Sequence, residues 1–263
     1  MKNLSFVLAI IAVAFLAFNN PITPEEKGLQ IAKSADLADQ GFESVSVNLT
    51  MTLKNKNGQT SVRNLTNSTL EQSVDGDKSL IVFKSPKDVL GTAILTYTHK
   101  IGSDDQWLYL PSIKRVKRIS SSNKSGPFMG SEFAYEDLSS QEVEKYTYKF
   151  IKEESYNGAS TTVVERYPVD PKSGYAKQIA WYNNDADLRL EKVEFFDRKN
   201  QLLKTLTYSD YKQYLNKFWR AETFKMVNHQ TGKETILKFE DYEFGLGLTE
   251  NDFTQNSLKR AGR

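Results

Sequence analysis

From Val45 to Leu53 the chain alternates strictly: Val45, Val47, Leu49, Met51 and Leu53 are apolar, while Ser46, Asn48, Thr50 and Thr52 are polar. Successive side chains of an extended strand leave the backbone on opposite faces, so a period of two dictates a strand with one buried face. The same constraint recurs along the chain. Strand-like stretches lie near 60–74, 78–84, 92–99 and 105–110, then near 144–152, 160–168, 175–183, 187–197, 202–212, 216–228 and 234–244. Between them stand turn formers: Asn57-Gly58, Asp75-Gly76-Asp77, Asn157-Gly158, Asn183-Asn184-Asp185, Lys199-Asn200 and Thr231-Gly232. Ten or more strands joined by short turns predict a mainly β protein with few helices, built as an antiparallel meander.

A single sheet of that size exposes a large apolar face unless it curls around something. Tyr175, Ile179 and Trp181 are alternate, bulky positions of the kind that would line one face. Two arrangements satisfy the pattern. One is a large curved antiparallel sheet, with helical pieces at 23–40, 86–90 and 135–138 covering its concave side only in part and leaving a cavity. The other is a fully packed sandwich.

The one strong helix signal begins at Thr23, which can cap it. Pro24 occupies the first helical position and Glu26 completes a capping box, while Leu29, Ala32 and Ala35 give a weak apolar stripe and Gly41 a stop. Before it, Lys2 is followed by an apolar or small-residue run from Leu4 to Phe18 broken only by Ser5. That run is shorter than the roughly 20 residues a bilayer span needs. It reads as a secretory signal over residues 1–20, with an uncleaved anchor as the alternative. Residues 21–263 then form one β-rich ligand-binding domain, with no linker or shift of composition inside it.

The chain has no cysteine, which removes disulfides, thiolate nucleophiles, sulfur metal sites and any lipidated cysteine. An exported protein of this kind is expected to be soluble after signal cleavage and not lipidated. A net charge of +2 gives no global drive toward nucleic acid. Enzyme signatures are missing: His99 and His229 are the only histidines, no G-x-S-x-G elbow occurs, and Gly245-Leu246-Gly247 lacks the third glycine of a dinucleotide site. No catalytic residue, metal or cofactor is expected.

Residues 106–144 carry the most information. Between Gln106 and Ser131 there is no acid, while Lys114, Arg115, Lys117, Arg118 and Lys124 are basic. From Gly126 to Glu144 the sign reverses, with Glu132, Glu136, Asp137, Glu142 and Glu144 and no base. One reading pairs the two blocks across adjacent strands. The other sees a glycine-flexed apolar loop flanked by arginines, suited to a ligand with a greasy body and a polar head.

The strings Leu110-Pro111-Ser112-Ile113-Lys114-Arg115-Val116-Lys117-Arg118-Ile119, Phe128-Met129-Gly130-Ser131-Glu132-Phe133 and Tyr135-Glu136-Asp137-Leu138 resemble the signature of the outer membrane lipoprotein-sorting, LolA-like proteins. Glu132 stands where similar members have Asp. The resemblance extends more weakly over most of the chain beyond the signal, including Pro86 through Thr92 and Leu248 through Leu258. It implies a half-open antiparallel barrel, closed by helices over an apolar cavity that holds acyl chains in the periplasm.

On that basis the chain is expected to be a periplasmic carrier or chaperone for lipid or lipoprotein acyl chains, transferring them toward the outer membrane. The alternative is an interaction subunit of an inner-membrane lipid-export transporter without cargo of its own, using the charged blocks as interface. The candidate ligand-binding residues are Trp107, Tyr109, Arg115, Arg118, Phe128, Met129, Phe133, Tyr135 and Trp181. Arg115 and Arg118 would steer a polar head group; Phe128, Met129 and Phe133 would form a lip over the cavity mouth, or be ordinary core. On a regular strand residues 115 and 118 point to opposite faces, so one of the two arginines should be structural.

Overall fold

The computed structural model describes residues 21–261; the expected secretory signal lies outside the described residues. Helix α1 (Pro24–Asp39) starts where expected, with the Thr23 hydroxyl accepting from the Glu26 amide at 3.1 Å and the Glu26 carboxylate accepting from the Thr23 amide at 2.9 Å. Six strands follow: β1 (Ser44–Lys54), β2 (Thr60–Leu70), β3 (Lys78–Ser85), β4 (Ala93–Tyr97), β5 (Asp105–Leu110) and β6 (Arg115–Ile119). After a long connection come β7 (Tyr146–Tyr156), β8 (Ala159–Pro168), β9 (Tyr175–Asn183), β10 (Leu190–Asp197), β11 (Leu202–Tyr214), β12 (Phe218–Asn228) and β13 (Glu234–Phe244), then the short helix α2 (Gln255–Ala261).

Every stretch that alternates in the sequence forms a strand. The addition is β6, whose five residues include three bases and carry no apolar alternation. The expected helical piece at 86–90 is a single turn, closed by the Leu90 amide on the Pro86 carbonyl, whereas Tyr135–Leu138 does form a short 3-10 turn. The Asn157-Gly158 hairpin behaves as its chemistry requires. Both residues adopt positive φ (48° and 84°), which suits a two-residue turn between twisted strands.

All thirteen strands join one antiparallel sheet in the order β6-β5-β4-β3-β2-β1-β13-β12-β11-β10-β9-β8-β7. The first and last strands pair at its middle, so both edges come from the middle of the chain. Residues 120–145, between β6 and β7, must therefore cross from one edge to the other.

That crossing shows the sheet is curled. The Tyr135 carbonyl accepts from Gln106 of β5, while two residues later Asp137 accepts from Tyr175 of β9 and Lys204 of β11. In the strand order β5 is second and β9 eleventh; nine steps of about 4.8 Å would separate them by about 43 Å in a flat sheet. Two residues of chain reach at most about 7 Å. Only a sheet wrapped around the crossing segment brings both strands to it.

The inner face of this half-open barrel holds the main core, including Leu49, Met51, Phe83, Ile94, Leu108, Val164, Ala180, Val193, Met226 and Leu237. The outer face of β3 to β5 carries a second cluster, in which Val82, Ala93, Leu95 and Tyr109 are covered by Phe253 and Leu258 of the C-terminal segment. Helix α1 packs on the inner side and against edge strand β7. Gly28 is required there: a Cβ would lie 2.8 Å from the Lys149 and Phe150 amide nitrogens. The opposite edge, β6, is left uncovered but bristles with Arg115, Lys117 and Arg118, a charge pattern that discourages pairing with another strand. Among the described residues no helix is long and apolar enough to cross a membrane.

Candidate functional site

The crossing segment fills the inner face with its own side chains. Phe128 and Phe133 are almost wholly buried, and Phe128 packs 5.7 Å from the rings of both Phe83 and Tyr135. The Phe128 amide bonds the Phe133 carbonyl at 2.7 Å, closing a tight loop. Met129 and Gly130 make the turn with φ of 48° and 77°; glycine adopts this geometry freely, whereas methionine does so at a conformational cost. Here the lip residues are part of the core.

Acidic residues of the segment pin the loop to the inner wall. The Asp137 carboxylate accepts from Lys204 Nζ at 2.6 Å, from the Ala134 amide at 2.7 Å and from Tyr175 Oη at 2.8 Å. Lys204 also donates to the Glu132 carbonyl at 2.9 Å and lies over the rings of Tyr175 and Phe195. Glu132 accepts from Asn228, and its amide donates to Thr235. Glu136 accepts from the Gly174 amide and the Ser173 hydroxyl, while burial pushes its carboxyl up. Arg63 donates to the Met129 carbonyl.

The expected pairing between the basic and acidic blocks does not occur. Lys124 pairs with Asp170 and Arg118 with Asp105; Lys114, Arg115 and Lys117 make no ion pair among the described residues. The acids need the inner wall instead, because the segment leaves the sheet after β6 and dives across the interior.

The nine candidate residues do not form one site. Phe128, Met129, Phe133 and Tyr135 gather on the inner face. Trp107 and Tyr109 alternate with the inward Gln106 and Leu108, so they belong to the outer cluster under the C-terminal segment. Trp181 also faces outward, as its neighbours Ala180 and Tyr182 face in. Its indole donates to Glu154 at 2.6 Å and Lys192 lies 3.6 Å over its ring. The register shift in β9 near Tyr175 is the reason: Tyr175 turns inward to Phe195 and Asp137, whereas Ile179 and Trp181 do not share its face. The two arginines separate as their odd spacing requires. Arg118, opposite Trp107, is on the outer face bound to Asp105; Arg115, opposite Leu110, is on the inner side and exposed.

Several inner-face groups carry no sequence signal of their own. Arg166 and Gln178 are buried side by side, with the Tyr146 ring centroid 5.1 Å from the Arg166 guanidinium. Each sits in an alternating strand at a position indistinguishable from a solvated one.

Elsewhere, His99 Nδ1 lies 2.6 Å from Asp75 and Nε2 lies 3.4 Å from Asp105. The bond to Asp75 raises the imidazole, and His99 holds the Asp75 carboxyl down at about 2. Among the described residues no cluster of histidine and acid side chains could hold a metal ion. An open cleft of about 100 Å³ at the end of the crossing segment is lined by Lys100, Asp104, Lys124, Glu136, Lys145 and Asp170. Another, of about 300 Å³, lies on the outer face beside Leu80, Leu248 and Phe253.

A family profile described as an uncharacterized protein matches residues 75–260. No curated protein matches the sequence. Among solved structures, a putative outer membrane lipoprotein-sorting protein domain from Vibrio parahaemolyticus is 55% identical, with 90% of this chain and 100% of that chain covered and a TM-score of 0.88. A DUF1329 family protein from Desulfovibrio piger is 26% identical over 90% of this chain and 99% of that one, at a TM-score of 0.84. A LolA superfamily protein from Nitrosomonas europaea, 22% identical over 88% of this chain and 99% of that one, shares the fold at a TM-score of 0.70.

Proposed function

Because the chain belongs to the family of outer membrane lipoprotein-sorting proteins, we propose that it is a periplasmic carrier that shelters an acyl chain of a lipid or lipoprotein on the inner face of its half-open barrel. One observation carries the reading. The apolar inner wall is covered by a single crossing loop and one helix rather than by a second sheet, so displacing residues 126–138 would bare it without breaking any strand pairing of the sheet. Phe128 and Phe133 occupy the space an acyl chain would take, and cargo would displace the 126–138 loop. Each buried methylene contributes about 0.8 kcal/mol, so a 16-carbon chain would gain on the order of 10 kcal/mol, enough to offset opening the loop. Transfer toward the outer membrane is part of the same proposal, as are export through the N-terminal signal and release as a soluble protein.

Native mass spectrometry of protein purified from the periplasm, with lipid extraction, tests this directly. Bound amphiphile in a defined stoichiometry supports it, and its absence from every preparation sinks it. A second reading is favoured by the exposed, unpaired Lys114, Arg115 and Lys117 at the uncovered β6 edge, which suit docking to an acidic face of an inner-membrane export transporter. Arg115→Ala should then abolish transporter pull-down while leaving lipid content unchanged. If cargo alone is lost, Arg115 serves the cavity mouth.

A further inference from the structure

Among the described residues, the inner wall contains one buried cation without a counter-charge. Arg166 projects from β8 on the same face as Val164 and is 5% exposed. Its Nε donates to Gln178 Oε1 at 2.7 Å, and the guanidinium lies 5.1 Å from the Tyr146 ring centroid. Among the described residues no carboxylate stands within 4.0 Å, and no protein acceptor takes a hydrogen bond from either Nη. The nearby acids are engaged elsewhere: Glu136 with Gly174 and Ser173, Asp137 with Lys204. Well-buried cations elsewhere, such as Lys145, Lys177 and Lys204, have a carboxylate partner.

A buried charge left unpaired is destabilising, and native interiors rarely keep one without a use. Besides Gln178, the ring of Tyr146 stands against this guanidinium. Tyr148 donates to the Val143 carbonyl and Tyr146 accepts from Gln178, but the hydroxyls of Tyr182 and Tyr208 have no hydrogen-bond partner among the described residues. A planar fork with two nitrogens that no protein acceptor takes matches two oxygens of one anion. Apolar side chains extend from it along the wall through Val164, Ala180 and Val193.

We propose that Arg166 is an internal recognition point for the anionic oxygen group, carboxylate or phosphate, of an amphiphile whose apolar chain lies along the inner face. This rests on the carrier reading above. It adds that the cargo is acidic and enters with its head inside the barrel rather than leaving it at the mouth.

The test compares palmitic acid with methyl palmitate on delipidated protein at pH 8, by calorimetric titration, alongside lysophosphatidic acid, acetate and inorganic phosphate. Palmitate should bind on the order of ten- to a hundredfold tighter than the ester, the strength of a charge-assisted pair. Arg166→Met should erase that preference and leave the ester's affinity unchanged, while Arg166→Lys keeps part of it. Lysophosphatidic acid binding tighter than palmitate assigns the site to phosphate heads, and the reverse to carboxylates. Equal affinity for acid and ester on the unmodified protein overturns the inference and leaves the carrier reading standing. So does acetate or phosphate alone binding as tightly as the amphiphile. Failure of acid and ester alike removes the carrier reading and this inference with it. Should Arg166→Met not fold, the acid and ester comparison on the unmodified protein still decides.

Discussion

Asp137→Asn should loosen the crossing loop as much as the loss of one of its buried rings. The Asp137 and Lys204 side chains are 7% and 4% exposed, so the pair sits in a medium where neither charge is solvated. Asparagine keeps the size and can accept from Tyr175 or the Ala134 amide, but the Lys204 ammonium is then left with the Glu132 carbonyl and two aromatic faces. Removing one member of such a pair costs about 3–5 kcal/mol. For a chain of this length each kcal/mol moves the melting temperature by about 2–4 °C, so a drop of about 6–20 °C is expected. Lys204→Met should cost less, because Asp137 retains two donors. The double variant should then recover part of the loss, with a coupling of at least about 1 kcal/mol. Thermal melts of the four proteins, with hydrogen exchange on the amides of residues 126–138, give both numbers. The reasoning fails if Asp137→Asn melts within about 2 °C of the parent and those amides exchange no faster, or if the two single effects simply add.

Phe128→Ala removes a fully buried ring packed on Phe83 and Tyr135 and should cost about 3–5 kcal/mol by denaturant titration, unless the loop opens to fill the space, which faster exchange of its amides would reveal. Arg118→Ala, at an exposed ion pair with Asp105, should change stability by at most about 1 kcal/mol and leave lipid content alone; a larger loss would mean the outer face matters more than its exposure implies. Gly28→Ala forces α1 off β7 and should lower the melting temperature, with rescue by no other side chain, since the clash is with backbone. Burial raises the Asp77 carboxyl to about 6 and, with Asp77 nearby, the Glu142 carboxyl to about 7. Folded values above the ordinary 3.8 and 4.5 mean the native state holds these protons more tightly than the unfolded one, so stability should rise as pH falls from about 7.5 to 5. His99, raised by Asp75, works in the same direction, its contribution fading as pH climbs through its folded value. A denaturation midpoint higher at pH 8 than at pH 5.5 would contradict this.

The strands, the α1 cap and the hairpins were legible in the sequence because their causes are local. Alternation from Val45 to Leu53 fixes a one-faced strand whatever it pairs with, Thr23 and Glu26 are three residues apart, and Asn157-Gly158 reverses the chain by its own φ angles. The odd spacing of Arg115 and Arg118 was enough to place them on opposite faces. Tertiary structure decided what depends on long-range pairing. The β1–β13 pairing puts β6 and β7 at opposite edges and so drives residues 120–145 through the interior, turning a glycine-flexed loop with an acidic block into a buried plug. A register shift in β9 separates Tyr175 from Ile179 and Trp181, which alternation alone had put on one wall. Arg166 shows the limit most clearly: in sequence it is one more charged residue on a strand. Only the closure of the sheet around it, with the nearby acids Glu136 and Asp137 already engaged, makes it a buried cation with no carboxylate partner among the described residues.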